Sequence, residues 1–187
     1  MVRGRLSSVE EWRSFLGEFS AEVLDGAHGG LDPLTSEQQR AERWLGYPGA
    51  TQEEIAALEQ RIGERLPPSY RAFLLTSNGW LKPGPSMDSL RVASGIDWSR
   101  RSLEGLAETW MEADPVLAAL FARGLLIADD GDAQLWLLDP EDRSADGEWA
   151  AWQWATWSAD GGERFGSFAD LFESAREKLI GYFDDVS

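Results

Sequence analysis

The stretch of sequence that decides the fold runs Leu66-Pro67-Pro68-Ser69-Tyr70-Arg71-Ala72-Phe73-Leu74 and continues, after two further residues, as Ser77-Asn78-Gly79-Trp80. Pro68 suits the first turn of a helix, where a backbone N–H has no partner and the fixed φ of proline is already helical. Tyr70, Phe73 and Leu74 share one face of that helix. Asn78-Gly79 supplies residues that tolerate the left-handed conformation in which helices end. The stretch therefore predicts a short helix whose aromatic face belongs to a core.

A second helix is predicted directly before this stretch. Thr51 and Glu54 form a capping box, and Ile55, Leu58 and Ile62 follow at helical spacing. The prolines of the deciding stretch stop this helix and start the next one. The two helices are expected to form a compact hairpin.

The N-terminal part of the chain carries one more long helix and a linker. Ser8 and Glu11 form a capping box, and apolar residues at steps of three and four predict an amphipathic helix that ends near Asp25-Gly26. Residues 26–33 are rich in Gly and contain Pro33, which is typical of a linker. A short helix is predicted over residues 36–44. We therefore expect an N-terminal helix and Gly-rich linker at 1–34, and an α+β domain at 35–187.

Downstream, the hydrophobic period changes from that of helices to that of strands. Residues 125–128 and 134–138 predict two strands, which the turn Asp129-Asp130-Gly131-Asp132 joins into a hairpin. A third strand is predicted over 148–157. Ser167 and Asp170 cap a final helix.

The middle of the chain has a weaker pattern. Residues 103–111 and 116–121 are predicted to be helical, while Leu90-Arg91-Val92 and Gly95-Ile96 are candidate edge strands between Pro and Gly residues. The whole order of elements predicts an α+β fold, in which helices pack on a mainly antiparallel sheet and a helix closes the chain.

This order of motifs resembles the SUKH superfamily, which includes the fungal Smi/Knr-type domains. The resemblance covers about residues 40–183 and rests on four blocks: Gly46-Tyr47-Pro48-Gly49-Ala50-Thr51 with Glu54-Ile55, the deciding stretch, the hairpin at 127–139, and Phe165-x-Ser167-Phe168. It implies a domain that bacteria use chiefly as an immunity protein, which binds and neutralises a toxin that is often a nuclease. In fungi, similar domains act as interaction hubs. The motif residues themselves have structural roles at helix ends and in the core, so they do not mark a binding site.

The charge of the chain excludes two classes of partner. With 33 acidic against 17 basic residues, the formal net charge is -16 and the pI about 4.4. Nucleic acid and anionic membranes are therefore not expected as partners, because both are bound through Lys and Arg. A basic protein would be attracted, although the same charge also simply keeps a protein soluble. The absence of Cys and of an apolar leader or membrane segment leads us to expect a cytoplasmic protein.

No pattern in the sequence predicts a catalytic, cofactor or metal site. His28 is the only histidine and lies in the Gly-rich segment, and no Gly-rich loop has the lysine of a phosphate-binding loop. The acidic run Asp129, Asp130, Asp132, Asp139, Glu141 and Asp142 is the best chemical candidate. It fails the EF-hand pattern, so three interpretations stay open: turn chemistry, an acidic protein-binding patch, and a metal or carboxylate site.

Four tryptophans follow this run at strand spacing. Because residues two apart share a face, Trp152 and Trp154 are predicted on one face of the third strand and Trp149 and Trp157 on the other. One face belongs to a core; the other is either packed as well or an exposed aromatic strip. The predicted partner-binding residues are therefore Asp129, Asp130, Asp132, Asp139, Glu141, Asp142, Trp152 and Trp154.

The function that the sequence favours is binding without catalysis. The first hypothesis is an immunity protein that meets a basic toxin domain through an acidic and aromatic surface, with carboxylates that mimic phosphates in the toxin's cleft. The alternative is a general regulatory or scaffold module of the Smi/Knr type. A third hypothesis, a carboxylate-dependent hydrolase or carbohydrate-binding protein, requires a cleft with perturbed acids.

Overall fold

The computed structural model describes residues 6–25, 35–103, 114–131, 134–155 and 162–185. Within these ranges the chain forms seven α-helices, seven β-strands and one 3-10 turn, Ala93–Gly95. The helices are α1 (Val9–Asp25), α2 (Glu37–Glu42), α3 (Gln52–Ile62), α4 (Pro68–Thr76), α5 (Ser99–Ser102), α6 (Pro115–Arg123) and α7 (Phe168–Asp185). The strands are β1 (Trp80–Gly84), β2 (Met87–Leu90), β3 (Asp97–Trp98), β4 (Leu125–Asp129), β5 (Gln134–Arg143), β6 (Trp149–Ala155) and β7 (Glu163–Phe165).

Strands β3 to β7 form one antiparallel sheet in sequence order, so each strand pairs with its neighbour in the chain. Strands β1 and β2 form a separate antiparallel hairpin. The two sheets meet where the backbone N–H of Arg91 donates to the carbonyl of Ile127 at 2.9 Å, at the irregularity in the β4–β5 register. The predicted α+β fold, with its antiparallel sheet and C-terminal helix, is confirmed.

The central sheet is packed on both faces. On one face, Ile127, Trp136 and Trp149 join the main core with residues of α1, α3, α4 and α7. On the other, Leu135 and Trp154 join a smaller cluster with Phe121 of α6. The alternation of apolar side chains along β5 produces this division, because successive residues of a strand point to opposite faces.

Helix α1 belongs to the main core although the Gly-rich segment separates it from the rest of the sequence. Trp12 is fully buried, and its ring lies 5.3 Å from that of Phe73 and 5.6 Å from that of Phe172. Its indole Nε1–H donates to the carbonyl of Ser69 at 2.9 Å. At the surface, Arg176 of α7 reaches Glu22 of α1 at 2.6 Å. The helix is thus bound to α4 and α7.

The capping boxes predicted from sequence are present. The backbone N–H of Glu11 donates to Ser8 Oγ at 3.2 Å, and the N–H of Ser8 donates to Glu11 Oε2 at 2.9 Å. Glu54 and Thr51 make the same pair of bonds at 3.2 and 2.8 Å. Ser167 accepts the N–H of Asp170 at the start of α7. These local motifs hold because both partners lie within one turn of each other.

The predictions for the middle of the chain were partly wrong. The strand predicted at Leu90-Arg91-Val92 lies earlier in the chain, as β2 at Met87–Leu90. A 3-10 turn follows it, so the second strand, predicted at Gly95-Ile96, begins later and is β3 at Asp97–Trp98. A long-range contact fixes this path, since Asn78 Oδ1 accepts the N–H of Ala93 at 2.7 Å.

Two strands were missed, β1 and β7. Pro83 argues against a strand, but β1 lies in a two-stranded hairpin, where an unpaired backbone position is tolerated. Most of the predicted helix at 103–111, and Trp157 in the third strand, lie outside the described residues. No helix within the described ranges is long and apolar enough to cross a membrane.

Candidate functional site

The structure places the described carboxylates of the predicted partner-binding set in two groups at opposite ends of β5. Asp129 and Asp130 lie at the β4–β5 hairpin, and Asp139, Glu141 and Asp142 lie toward the other end of the strand. Gln134 and Asp139 are five residues apart, which at about 3.3 Å per residue is about 16 Å. Asp132 lies outside the described residues.

The hairpin carboxylates are engaged within the protein. Asp129 Oδ2 accepts from Arg91 Nε at 2.9 Å and from Arg91 Nη2 at 2.6 Å. Asp130 Oδ1 accepts the backbone N–H of Gln134 at 2.8 Å, which closes the loop around Gly131, whose φ is +79°. These contacts are what a tight turn requires of Asp and Gly.

At the other end of β5, a single guanidinium holds a buried carboxylate. Asp139 is only 2 % exposed, and its two oxygens accept from Arg123 Nε at 2.8 Å and Nη2 at 2.7 Å. The backbone N–H of Glu141 adds a third bond at 3.0 Å. Glu141 itself is 72 % exposed and lies 3.4 Å from Arg123. Arg123 ends α6, so this pair joins α6 to the sheet.

The ionisation of this pair follows from its contacts. Burial by itself raises the pKa of the Asp139 carboxyl, but hydrogen bonds from Arg123 and from the Glu141 backbone outweigh burial and hold that pKa below its ordinary value. The positive charge of Arg164 acts in the same direction. The hydrogen bond to Asp139 raises the pKa of Arg123 above its usual range. Both groups therefore stay charged at neutral pH.

One tryptophan of the predicted pair borders this network and the other is buried. Trp154 is 4 % exposed, and the ring of Phe121 lies edge-on at 5.2 Å. Trp152 is half-buried and pairs across the sheet with Arg164 of β7, so the two side chains share a face. Arg164 in turn reaches Asp142 at 2.7 Å. Of the two tryptophans predicted on this face, only Trp152 is therefore partly exposed, and the pair does not form an exposed aromatic strip.

We call this region the β5–β7 surface; it consists of Arg123, Asp139, Glu141, Asp142, Trp152 and Arg164. Its three carboxylates and two guanidiniums leave a local charge of -1. The indole Nε1 of Trp152 is buried and has no hydrogen-bond acceptor among the described residues. Trp and Arg are the residue types most enriched at the energetic centres of protein interfaces. The arrangement suits the binding of another protein.

Within the described part of the chain, no group of three or more His, Cys, Asp or Glu side chains could hold a metal ion. Burial raises the pKa of the Tyr70 phenol, which makes it a poorer acid. The buried carboxylate of Asp139 is committed to Arg123.

The family model described as SMI1 / KNR4 family (SUKH-1) matches residues 49–174, which is 126 of the 187 residues. The chain belongs to this SUKH-1 family. The resemblance found in the sequence is therefore confirmed. No curated protein matches the sequence. The matched range includes the whole β5–β7 surface and leaves out α1, although α1 supplies Trp12 to the core of the SUKH-1 domain.

Sequence reasoning missed the two arginines that organise the surface of this SUKH-1 domain. Arg123 and Arg164 stand 16 and 22 residues from their carboxylate partners, Asp139 and Asp142. Neither spacing is that of a local motif. The sequence also gave no indication of Glu148, a buried carboxylate that accepts from Ser69 N at 2.8 Å and Ser69 Oγ at 2.7 Å. This contact ties the start of α4 to the start of β6.

Proposed function

We propose that this chain is a protein-binding domain without a catalytic role, which acts as an immunity protein by binding and neutralising a basic toxin domain. The observation that carries the proposal is the family match over residues 49–174. The SUKH resemblance implies that such domains serve in bacteria chiefly as immunity proteins. The charge of -16 supports a basic partner, because a field of this sign speeds the encounter with positive surfaces.

The contacts of the β5–β7 surface suggest how the partner is held. Asp139 is buried and paired, so it supports the surface and does not meet the partner directly. Glu141 and Asp142 are 72 % and 42 % exposed and can exchange their guanidinium partners for basic side chains of the toxin. Trp152 supplies the apolar centre. Recognition thus combines a tryptophan anchor with a rim of carboxylates, a simpler arrangement than a continuous phosphate mimic.

The first experiment identifies the partner and measures the stoichiometry. The purified protein is used to capture partners from the lysate of its source cell at low and moderate salt, and the captured protein is then titrated by calorimetry. We expect one basic protein that binds one to one with a Kd of about 1 nM or below, and more weakly as salt rises. Several partners that bind with Kd values in the micromolar range would instead favour the regulatory or scaffold alternative.

The second experiment tests the surface and the neutralisation together. Co-expression with the captured toxin should restore growth for the wild type and fail for Trp152→Ala, with a loss of binding of about 2 kcal/mol or more. Tyr182→Ala is the matched control, since Tyr182 is 56 % exposed but lies on α7. If Trp152→Ala binds the toxin as well as Tyr182→Ala does, the proposed interface at the β5–β7 surface is contradicted. If the wild type does not restore growth, the proposed immunity function is wrong.

A further inference from the structure

Arg164 lies on the edge strand β7, beside Trp152 of the β5–β7 surface. The register of β6 and β7 pairs these two residues. The strand neighbours of Arg164, Glu163 and Phe165, both contact Lys178 of α7. Because successive residues of a strand point to opposite faces, Arg164 lies on the face away from α7, together with Trp152. A partner that packs on Trp152 therefore also meets Arg164.

Arg164 is paired within the chain, but only through a contact at the protein surface. Its Nε and Nη2 each lie 2.7 Å from Asp142 Oδ2, and the two side chains are 47 % and 42 % exposed. Arg123, the other guanidinium of this surface, holds the buried carboxylate of Asp139. Separating an exposed pair costs little free energy, whereas separating a buried one leaves a charge without a partner. A partner can therefore displace Arg164 but not Arg123.

The contact with Arg164 makes Asp142 less available to a basic partner. A cation that approaches this carboxylate finds it already paired, with a like charge beside it. The cation binds only if other contacts, such as packing on Trp152, offset the competition. A repulsive element of this kind lowers the affinity for all basic surfaces, so only those with further matching contacts bind well.

We propose that Arg164 is an internal competitor of the partner's cation at Asp142, and thereby a specificity-determining residue of the β5–β7 surface. The inference rests on the proposed function and deepens it, because the partner is the same basic toxin domain. An arginine of the toxin suits the exchange best, since its guanidinium can take over the geometry that Arg164 has at Asp142. Removal of Arg164 should therefore strengthen the binding of basic groups at this surface.

The test measures by NMR how tightly the full, ¹⁵N-labelled chain binds the peptide acetyl-Arg-Leu-Arg-amide. The indole N–H signal of Trp152, identified by its loss in Trp152→Phe, reports binding at this surface. Arg164→Gln should bind the peptide about fivefold more tightly than the wild type, because Asp142 loses its internal partner. Arg164→Lys keeps the charge and should stay within about twofold of the wild type.

The matched control is Arg43→Gln. Arg43 forms a similarly open pair with Asp25, at 2.7 Å and with side chains 53 % and 64 % exposed. This variant makes the same charge change and frees a carboxylate at the end of α1. The affinity that Trp152 reports should then change by less than about twofold. Each of the two Gln variants loses only a surface ion pair, so both are expected to fold, which their NMR spectra check.

Three outcomes would overturn the inference. The first is a Trp152 signal that does not respond to the peptide in any variant. The second is binding by Arg164→Gln that is no tighter than that of the wild type. The third is an equal gain in Arg43→Gln, which would show a general effect of charge. The immunity function is judged separately, by growth rescue with the wild type: rescue without a gain in Arg164→Gln refutes this inference alone, and a gain without rescue refutes the immunity function alone.

Discussion

Replacing Asp139 by Asn tests the buried ion pair that joins α6 to the sheet. The carboxylate accepts two bonds from Arg123 and one from the backbone N–H of Glu141. The amide keeps one acceptor oxygen, so one charge-assisted bond is lost and the remaining one becomes weaker. Charge-assisted bonds contribute about 1.5–3 kcal/mol each, but Arg123 is 30 % exposed and regains water in the variant. We expect the free energy of unfolding to fall by about 2 kcal/mol.

The effect of Asp139→Asn on the free energy of unfolding should also depend on pH, and the pKa of Asp139 fixes the sign of this dependence. The pKa of Asp139 in the folded protein lies below its ordinary value of 3.8, so the stabilisation is fully present above that value. It is lost as the pH falls through the folded-state pKa. The difference in unfolding free energy between wild type and Asp139→Asn should therefore be constant from neutral pH down to about pH 5 and narrow below about pH 4.

Urea denaturation followed by tryptophan fluorescence measures both quantities. Glu141→Gln is the control, because this carboxylate is largely exposed and contacts the same guanidinium at 3.4 Å; its change should stay below about 0.5 kcal/mol. The reasoning fails if Asp139→Asn changes the unfolding free energy by less than about 0.5 kcal/mol at neutral pH, or if the difference does not narrow in acid.

Three further substitutions address the contacts that hold the fold together. Trp12→Ala should lower the unfolding free energy by about 3–5 kcal/mol in urea, and a variant as stable as the wild type would show that α1 does not share the core. Ser69→Ala removes the hydroxyl that donates to Glu148 and should cost about 1–2 kcal/mol by the same assay; no change would mean that water replaces the bond. Gly79→Ala should lower the thermal midpoint more than Gly63→Ala. Both positions have positive φ, but only the first would press its new methyl against backbone, and equal midpoints would contradict this account.

Strand periodicity predicts which face of β6 each tryptophan of the candidate site occupies. Trp149 on one face, with Trp152 and Trp154 on the other, follows from alternation alone, and the structure places all three as predicted. Which tryptophan is exposed does not follow from alternation. Helix α6 covers Trp154 through Phe121 and leaves Trp152 half-buried, and the position of α6 depends on packing.

For the carboxylates between residues 129 and 142, in contrast, the sequence does not indicate how they are distributed and paired in the fold. Six carboxylates close in sequence suggest one negative patch, but β5 separates the five described ones into two groups, and three arginines from other elements pair with four of them. Arg91 comes from beyond β2, Arg123 from α6 and Arg164 from β7. Each pair is long-range, so no spacing in the sequence indicates it.

The sequence by itself determined the local structure of this protein: the capped helices, the hairpin between β4 and β5, the faces of β6 and the SUKH-1 family. These features depend on residues within a turn or a strand of one another, so the local sequence is sufficient to indicate them. Only the tertiary structure decided where α1 packs and which carboxylates remain exposed. Those properties depend on which distant side chains meet, because burial and ion pairing are set by contacts between elements.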